Sequence, residues 1–402
     1  MALDLTNLSR QIRSMSGSLT TEAHDKRDRT TTVRTRYATE AHNYQLWATA
    51  ANLSRETAAW LLAHPVEPLN AVYDVAARPN NYALVATDGS QIDIERHGAA
   101  ACYVINIGRV FLRYGAQPKA RLSSVPSLYY REEDLYLSDG VRRIPIEGNY
   151  LSARRDVEEG VALVGLTEEF LTDDIPGIAL QDGTLVRWTL AGAEKFVQNY
   201  FLRPYLTYLD EMRQRNIPVA SYISRPRSPE VAGTIRLMFC PDVRLADGRG
   251  AKCNECSDAA AGREPSCYVC QGMTDAEILA DFLQDGQRGP LFISMSRINV
   301  EAYGHHLIHF FYMRVGREIA RVEIPQWVAH NQDHVNLVHT LVYDQCLKGQ
   351  GYPHALARAH EQAVVRAADR RAFLKMMEGS LMRADVPTAS SQKRSSKEIQ
   401  AV

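Results

Sequence analysis

Two aspartates stand at matching positions in two similar segments of this chain. Asp88 lies in ATDGSQ and Asp182 lies in LQDGTL, and each follows a short apolar run and precedes a glycine. A single Asp-Gly pair usually marks a turn, and that interpretation stays open for each of them. If the two apolar runs are neighbouring strands, however, both carboxylates reach the same edge of a sheet. The following glycine would let the chain turn closely past a ligand.

Paired carboxylates of this kind suit one reaction in particular. Hydrolysis of a phosphodiester at neutral pH is assisted by two divalent cations about 4 Å apart, which activate water and stabilise charge on the phosphoryl and leaving oxygens. Mg²⁺ and Mn²⁺ prefer oxygen ligands, so several carboxylates have to converge. The two aspartates are therefore candidate metal ligands, and a third acid is expected nearby.

A helix predicted between the two aspartates offers that third acid. In NYLSARRDVEEGVALVGLTEEFLTDD, Val157, Val161 and Val164 are spaced for one buried helical face. Glu158 is next to this face and is the preferred candidate, while Glu159 lies further round and is kept as the alternative. A solvated role for either glutamate is the ordinary interpretation.

Four segments together resemble the NurA nuclease family, over roughly residues 75–375. They are ATDGSQ, LQDGTL, ARVEIPQWV and GYPHALARAH. The last is the most specific, because Tyr352 and His360 stand eight residues apart in the form YPxxLxxAH.

The resemblance implies an α/β fold with an RNase H-like mixed β-sheet core flanked by helices, and a homodimer. It also implies Mn²⁺- or Mg²⁺-dependent cleavage of DNA, by 5′ to 3′ exonuclease and single-strand endonuclease action. The family acts in DNA end resection and double-strand break repair with the hexameric ATPase HerA. A non-catalytic nucleic-acid or ATPase-binding adaptor on the same fold is the alternative.

Carried over by motif, the resemblance assigns roles to five residues. Asp88, Glu158 and Asp182 would hold the catalytic metal. Tyr352 would orient substrate or water, and His360 would assist at the metal or the scissile phosphate. Glu159 remains possible in place of its neighbour.

Three arginines on two other features of the chain have two interpretations each. Arg321 and Glu323 fall on one face of a predicted strand, where they form either a buried ion pair or a site in which the arginine contacts phosphate. Arg225 and Arg227 lie on a proline-rich loop, where they either grip backbone phosphate or are simply solvated.

A cysteine-rich insert at about residues 240–272 predicts a second metal. Cys253, Cys256, Cys267 and Cys270 form two CxxC pairs separated by ten residues, which is typical of a tetrahedral zinc site. Four cysteines leave no open coordination position, so this zinc would be structural. Free thiols, an iron-sulfur cluster and a redox pair are the alternatives, and a zinc ribbon carrying the main activity is a weaker third hypothesis.

The elements that position these residues follow from composition and pattern. Residues 1–70 predict an N-terminal helical arm, residues 71–385 the nuclease domain, and residues 386–402 a disordered tail. VAGTIRLMFC is predicted as a strand. The segment from Pro353 to MMEGS is predicted as one long helix.

Charge and hydropathy limit the classes of partner. The chain has 46 basic and 47 acidic residues, so any contact with DNA must rely on local positive charge or on a partner protein. No run of eighteen apolar residues and no signal-peptide stretch is present, which predicts a cytoplasmic protein without a membrane contact.

Overall fold

A computed structural model of the chain describes residues 4–94, 100–171 and 175–385. The helices are α1 Leu5–Thr39, α2 Tyr44–Ser54, α3 Glu132–Leu135, α4 Asn149–Phe170, α5 Lys195–Gln214, α6 Glu230–Leu237, α7 Ser257–Ala260, α8 Asp275–Leu279, α9 Arg297–Ala302, α10 Gln326–Ala329, α11 Gln332–Lys348, α12 His354–Ala363 and α13 Ala367–Arg383. The strands are β1 Ala63–Pro65, β2 Tyr82–Ile92, β3 Tyr103–Tyr114, β4 Lys119–Tyr129, β5 Tyr136–Ser138, β6 Arg143–Pro145, β7 Gly177–Asp182, β8 Val219–Ile223, β9 Phe292–Ser294, β10 Ile308–Val315 and β11 Glu318–Pro325.

The chain divides into two compact units. The first contains the residues up to 74 together with 224–296 and 309–321. Its helices include α1, α2 and α6, and its short strands β1 and β9 pair antiparallel, as do β9 and β10. The predicted helical arm corresponds to α1 and α2 within this unit. None of the helices in the described part of the chain is long and apolar enough to span a membrane.

The second unit contains residues 75–223, 297–308 and those from 322 onward. Its strands run in the order β4, β3, β2, β7, β8. β2, β3 and β4 are antiparallel neighbours, whereas β7 is parallel to β2 and β8 is parallel to β7. Counted within this unit the order is 3-2-1-4-5, the arrangement of an RNase H-like core. The predicted mixed α/β fold is thereby confirmed.

Helix α4 packs against this sheet with a face that differs from the predicted one. Val157 and Val164 are buried as expected, but Val161 is 54% exposed. Because the helix has 3.6 residues per turn, its buried face includes Gly160, and Val161 lies outside that face. A Cβ on Gly160 would lie 2.3 Å from the ring of Tyr208 on α5, which explains why a glycine stands there.

Two other predicted elements were wrong. VAGTIRLMFC belongs largely to α6 and not to a strand, because a short apolar run buried on all sides carries no periodicity that separates the two forms. The long terminal helix is interrupted between α12 and α13, where Val364 leaves helical geometry. The sequence patterns also gave no indication of β4 or α11. The predicted disordered tail, residues 386–402, lies outside the described residues.

Candidate active site

The two aspartates lie side by side in the second unit. β2 and β7 are parallel neighbours in which Thr87 pairs with Gln181, so Asp88 and Asp182 are the next residues on adjacent strands. Each carboxylate accepts a hydrogen bond from the amide of the following glycine, at 2.8 Å from Gly89 and 2.9 Å from Gly183. The two aspartates are therefore neighbours in the sheet. β7 ends at Asp182 as predicted, but β2 continues through Gly89 to Ile92, so the turn expected after Asp88 is wrong.

Helix α4 brings Glu159 to this edge. A Cβ on Gly89 would lie 2.6 Å from Glu159 Oε1 and equally close to the Arg155 side chain, so only glycine allows the helix to approach the strand this closely. Thr87 Oγ1 donates to the Glu159 carbonyl at 3.1 Å and fixes the helix against β2. Asp88 and Glu159 are thus held on facing elements.

The Glu159 carboxyl is 5% exposed and has few compensating partners. Arg155 Nε lies 3.3 Å from one carboxyl oxygen, and Gln181 Nε2 donates to the other at 3.3 Å. Burial, followed by the negative charge of Asp156, raises the pKa of Glu159 to about 8, and Asp88 adds to the effect. A buried acid crowded by other acids is the setting in which a cation is favourable.

The side chain of Glu158, the preferred candidate from the sequence, does not contact the aspartates but pairs with an arginine of its own helix. Its carboxylate pairs with Arg154 at 3.0 Å, one helical turn earlier. The charge of Glu158 also raises the pKa of Tyr129 on β4, in second place after burial. The structure therefore places Glu159, the alternative, beside Asp88 in its stead.

Tyr352 and His360 reach the aspartates from the start and the end of α12. The Tyr352 hydroxyl donates to Asp182 Oδ1 at 2.6 Å, and His360 Nδ1 lies 2.7 Å from Asp88 Oδ2. Partial desolvation raises the pKa of Asp182, with the nearby charge of Asp88 adding to it. Burial, and then Asp182, raise the pKa of Tyr352, so this phenol is protonated and donates.

The position of α12 depends on small and polar residues of β2 and β3 that the sequence did not single out. A Cβ on Gly108 would come within 2.1 Å of the Ala359 carbonyl oxygen, so a glycine is needed for the helix to lie on β3. At the end of the helix, the Ala363 carbonyl accepts from Asn106 Nδ2 at 2.7 Å and from the Ser90 hydroxyl. A glycine inside an apolar strand was the available signal.

The loop after Asp182 is fixed from β11. Glu323 Oε2 accepts from the Thr184 hydroxyl at 2.8 Å and from the Leu185 amide at 2.7 Å. Arg321, two residues earlier, pairs with buried Glu230 and stacks 3.6 Å from the Phe310 ring centroid. Arg321 and Glu323 thus each have partners on other elements.

The proline-rich loop of the first unit offers one paired and one exposed arginine. Arg225 Nε lies 2.7 Å from Glu318, and Arg227 is exposed.

The four cysteines of the insert lie in the first unit and form no disulfide. Burial raises the pKa of Cys267, and the nearness of Cys253 and Cys256 contributes. Burial also raises the pKa of Cys270 to about 12. Among the described residues, however, no three of these sulfurs lie within 4.8 Å of one another. The zinc site therefore stays a prediction.

Basic residues of the insert have local acidic partners. Lys252 lies 3.4 Å from Glu255, and Arg263 lies 2.8 Å from Asp258. The positive charges of Lys252 and Arg263 are thus largely balanced within the insert.

A group that the sequence did not indicate has converging ligand atoms. Asp210, His305 and His306 offer one carboxylate oxygen and two imidazole nitrogens within 4.8 Å of one another, and in the described part of the chain they are the one such set. The oxygens of Asp88, Glu159 and Asp182 are less tightly gathered, as expected for like charges without a cation between them.

Comparison with protein families gives one match. The model of the NurA domain matches residues 82–365, which include both aspartates, helix α4 and all of α12. A comparison with curated proteins gave no match.

Comparison with solved structures gives a distant likeness to LC9-RNase H1, a type 1 RNase H with the type 2 active-site motif. The identity is 14%, and the alignment covers 36% of this chain and 64% of that one. The chain thus spans less than two thirds of that structure's length. The TM-score is 0.19, so the likeness carries no argument of its own.

Proposed function

Because the chain belongs to the NurA domain family, a family of nucleases, we propose that it is a divalent-metal-dependent deoxyribonuclease. The observation that carries this proposal is the placement of Asp88 and Asp182 on adjacent parallel strands, with buried Glu159 facing Asp88. The proposed action is 5′ to 3′ exonuclease and single-strand endonuclease cleavage in DNA end resection and double-strand break repair, in the cytoplasm.

The donor set fits Mg²⁺ or Mn²⁺. Asp88, Glu159 and Asp182 supply carboxylate oxygens, and His360 adds an imidazole that Mn²⁺ accepts more readily than Mg²⁺. The buried Glu159 carboxyl is poorly compensated without a cation, as its raised pKa indicates. When bound, such ions lower the pKa of a coordinated water and stabilise charge on the phosphate.

The protein side chains have distinct tasks in this scheme. Tyr352 and the Gly183 amide both donate to Asp182 Oδ1, which orients this carboxylate and leaves its other oxygen for a ligand. If Nδ1 of His360 carries the proton and donates to Asp88, Nε2 keeps its lone pair. The His360 side chain is 66% exposed, so a substrate phosphate or water can reach it. His360 is therefore proposed to accept a proton or to bind the metal through Nε2.

The family partnership with a HerA-type hexameric ATPase is part of the proposal. The chain carries a formal net charge of −1, so a partner that holds DNA would supply affinity that this surface lacks. The Arg155 side chain is already paired with Asp156 and Glu159, which supports the same view.

A homodimer is also proposed, and α1 offers a surface for a second copy. Five apolar side chains recur at alternating three- and four-residue steps along its first half, and all are 37–67% exposed: Leu5, Leu8, Ile12, Met15 and Leu19. This is the spacing of a coiled-coil seam. The flanking Ser9, Gln11 and Ser16 are uncharged, so two identical helices would not repel each other.

Cleavage of labelled single- and double-stranded DNA with Mn²⁺ or Mg²⁺ tests the proposed activity. Asp88→Asn and Asp182→Asn should each abolish cleavage while leaving the fold intact by circular dichroism. Undiminished cleavage in both variants would reject the assigned site. If the wild-type protein binds DNA or the ATPase and never cleaves, the adaptor alternative is correct.

A further inference from the structure

Asp210 and two successive histidines form a compact group in the second unit, on elements separate from those carrying the aspartates. Asp210 Oδ1 lies 2.7 Å from His305 Nε2 and 2.9 Å from His306 Nε2. The two imidazole rings are 4.1 Å apart between centroids, tilted by 45°. Each of the two imidazoles thus directs its Nε2 toward the same carboxylate oxygen, Oδ1 of Asp210.

From this convergence we propose that Asp210, His305 and His306 form a second metal site, selective for a zinc-class divalent transition ion. Two imidazole nitrogens and one carboxylate are ligands that Zn²⁺, Co²⁺ and Ni²⁺ prefer, whereas Mg²⁺ favours oxygen alone. The site is independent of the proposed nuclease centre, whose donors are mainly carboxylates.

The turn that carries the two histidines is fixed on both sides by hydrogen bonds. The histidines occupy the turn Gly304–His306, which is anchored by buried Tyr303 through hydrogen bonds to Leu185 and Arg187. Asn299 closes the other side of the turn by bonding both the amide and the carbonyl of Ile308. These contacts fix the backbone from which both imidazoles project.

The distances need little adjustment. Ligand atoms around a tetrahedral zinc ion at 2.0–2.2 Å lie about 3.4 Å from one another. The separations of 2.7 and 2.9 Å between Asp210 and the two histidines therefore have to widen by roughly 0.5–0.7 Å.

Exposure provides an entry path and an open position. His306 is buried and neutral at pH 7, because burial and the neighbouring His305 lower its pKa to about 4. The side chains of Asp210 and His305 are 43% and 56% exposed. Three protein ligands with a solvent-facing side leave a fourth position for water or an anionic oxygen. Arg213, which also lowers the pKa of His306, adds a positive charge that favours an anion there.

Cobalt binding tests the site without reference to nuclease activity. The full chain, stripped with chelator and titrated with Co²⁺, should show a d–d absorption band typical of nitrogen and oxygen ligands. His305→Ala and Asp210→Asn should each weaken this binding by on the order of 100-fold. His24→Ala, an exposed histidine on α1, is the matched control and should bind as the wild type does.

Two further variants separate this site from the others. The band should persist in Asp88→Asn and in a Cys253→Ser, Cys256→Ser double variant, since the proposed ligands are intact in both. Equal Co²⁺ affinity in wild type and His305→Ala, with both folded by circular dichroism, would overturn the proposal. So would loss of the whole signal, charge-transfer bands included, in the cysteine variant. In either case the three side chains form only a hydrogen-bonded cluster.

Discussion

Asp88 and Gly108 face each other across the antiparallel pair β2 and β3, and α12 lies directly on the glycine. The closest atom is the Ala359 carbonyl oxygen, in the residue before His360. One backbone position without a side chain therefore sets how near the histidine comes to the aspartate.

Gly108→Ala is expected to push α12 away from β3 and to lengthen the contact between His360 and Asp88. The added methyl cannot fit 2.1 Å from a carbonyl oxygen, so we expect a loss of about 1–3 kcal/mol in unfolding free energy and a larger loss of cleavage. Gly165→Ala on α4 is the control, because the nearest atom to its Cβ would be 3.9 Å away. Thermal unfolding measures the loss of stability, and cleavage assays measure the loss of activity. Normal activity in Gly108→Ala would show that the helix position is not critical.

Glu159→Gln and Glu158→Gln form a matched pair on successive residues of α4. If Glu159 is a metal ligand, its amide variant should lose at least about 100-fold in cleavage rate and bind Mn²⁺ more weakly. Glu158→Gln removes the ion pair with Arg154 and the charge beside Tyr129, neither of which involves the two aspartates, and should retain activity within about twofold. The reverse ranking would restore Glu158 as the ligand.

The stability of the metal-free protein should depend on pH through Glu159. Its pKa is about 8 in the folded state and near 4.5 ordinarily, so between these values the folded state keeps a proton that the unfolded state has released. The free energy of unfolding therefore falls as pH rises across this window. Glu159→Gln removes the effect and should be more stable than wild type at pH 8 by about 1–3 kcal/mol, with little difference at pH 4.

Saturating Mn²⁺ should remove most of the difference between wild type and Glu159→Gln at pH 8, because the cation then compensates the carboxylate. Chemical denaturation of both proteins with and without Mn²⁺ measures this difference in unfolding free energy. A pH-independent difference between the two proteins would contradict the assigned cause.

Tyr352→Phe should lower the cleavage rate by roughly 10- to 100-fold with little change in fold, because only the hydrogen bond to Asp182 is lost. Tyr200→Phe, on the exposed side of α5, is the control. A wild-type rate in Tyr352→Phe would mean that Asp182 needs no orienting partner.

Ile12→Glu tests the apolar seam of α1. If two copies pair through it, a central charge should shift the protein from dimer to monomer in light scattering after gel filtration. Arg10→Glu, off the seam on the same helix, should leave the mass unchanged. A dimer that survives Ile12→Glu would place the interface elsewhere.

Asp88 and Asp182 could be identified from the sequence because an apolar run that leads into Asp-Gly is a local pattern, although β2 continues beyond its Asp-Gly pair. That the two aspartates are neighbours depends on β2 and β7 being adjacent strands, which only the structure shows. Tyr352 and His360 were predicted through the family motif, since nothing local shows that α12 approaches both strands.

The choice between Glu158 and Glu159 could not be made from the valine spacing. The buried face of α4 is set by Gly160 against Tyr208 and by Gly89 against Glu159, which are contacts between distant parts of the chain. A glycine has no apolar side chain, so a search for the spacing of apolar residues does not detect it. The group of Asp210, His305 and His306 was not predicted either, because Asp210 and His305 are 95 residues apart in the sequence.

The last carbonyls of α12 bond to Ser90 and Asn106, and the helix stops there before α13 begins. The last turn of α12, which carries His360, is therefore anchored to β2 and β3, and the Val364 amide donates to the His360 carbonyl at 3.0 Å. A fusion partner or fluorescent label attached beyond α13 should consequently leave cleavage unaffected, which makes the carboxyl-terminal side the practical place for tethering this protein.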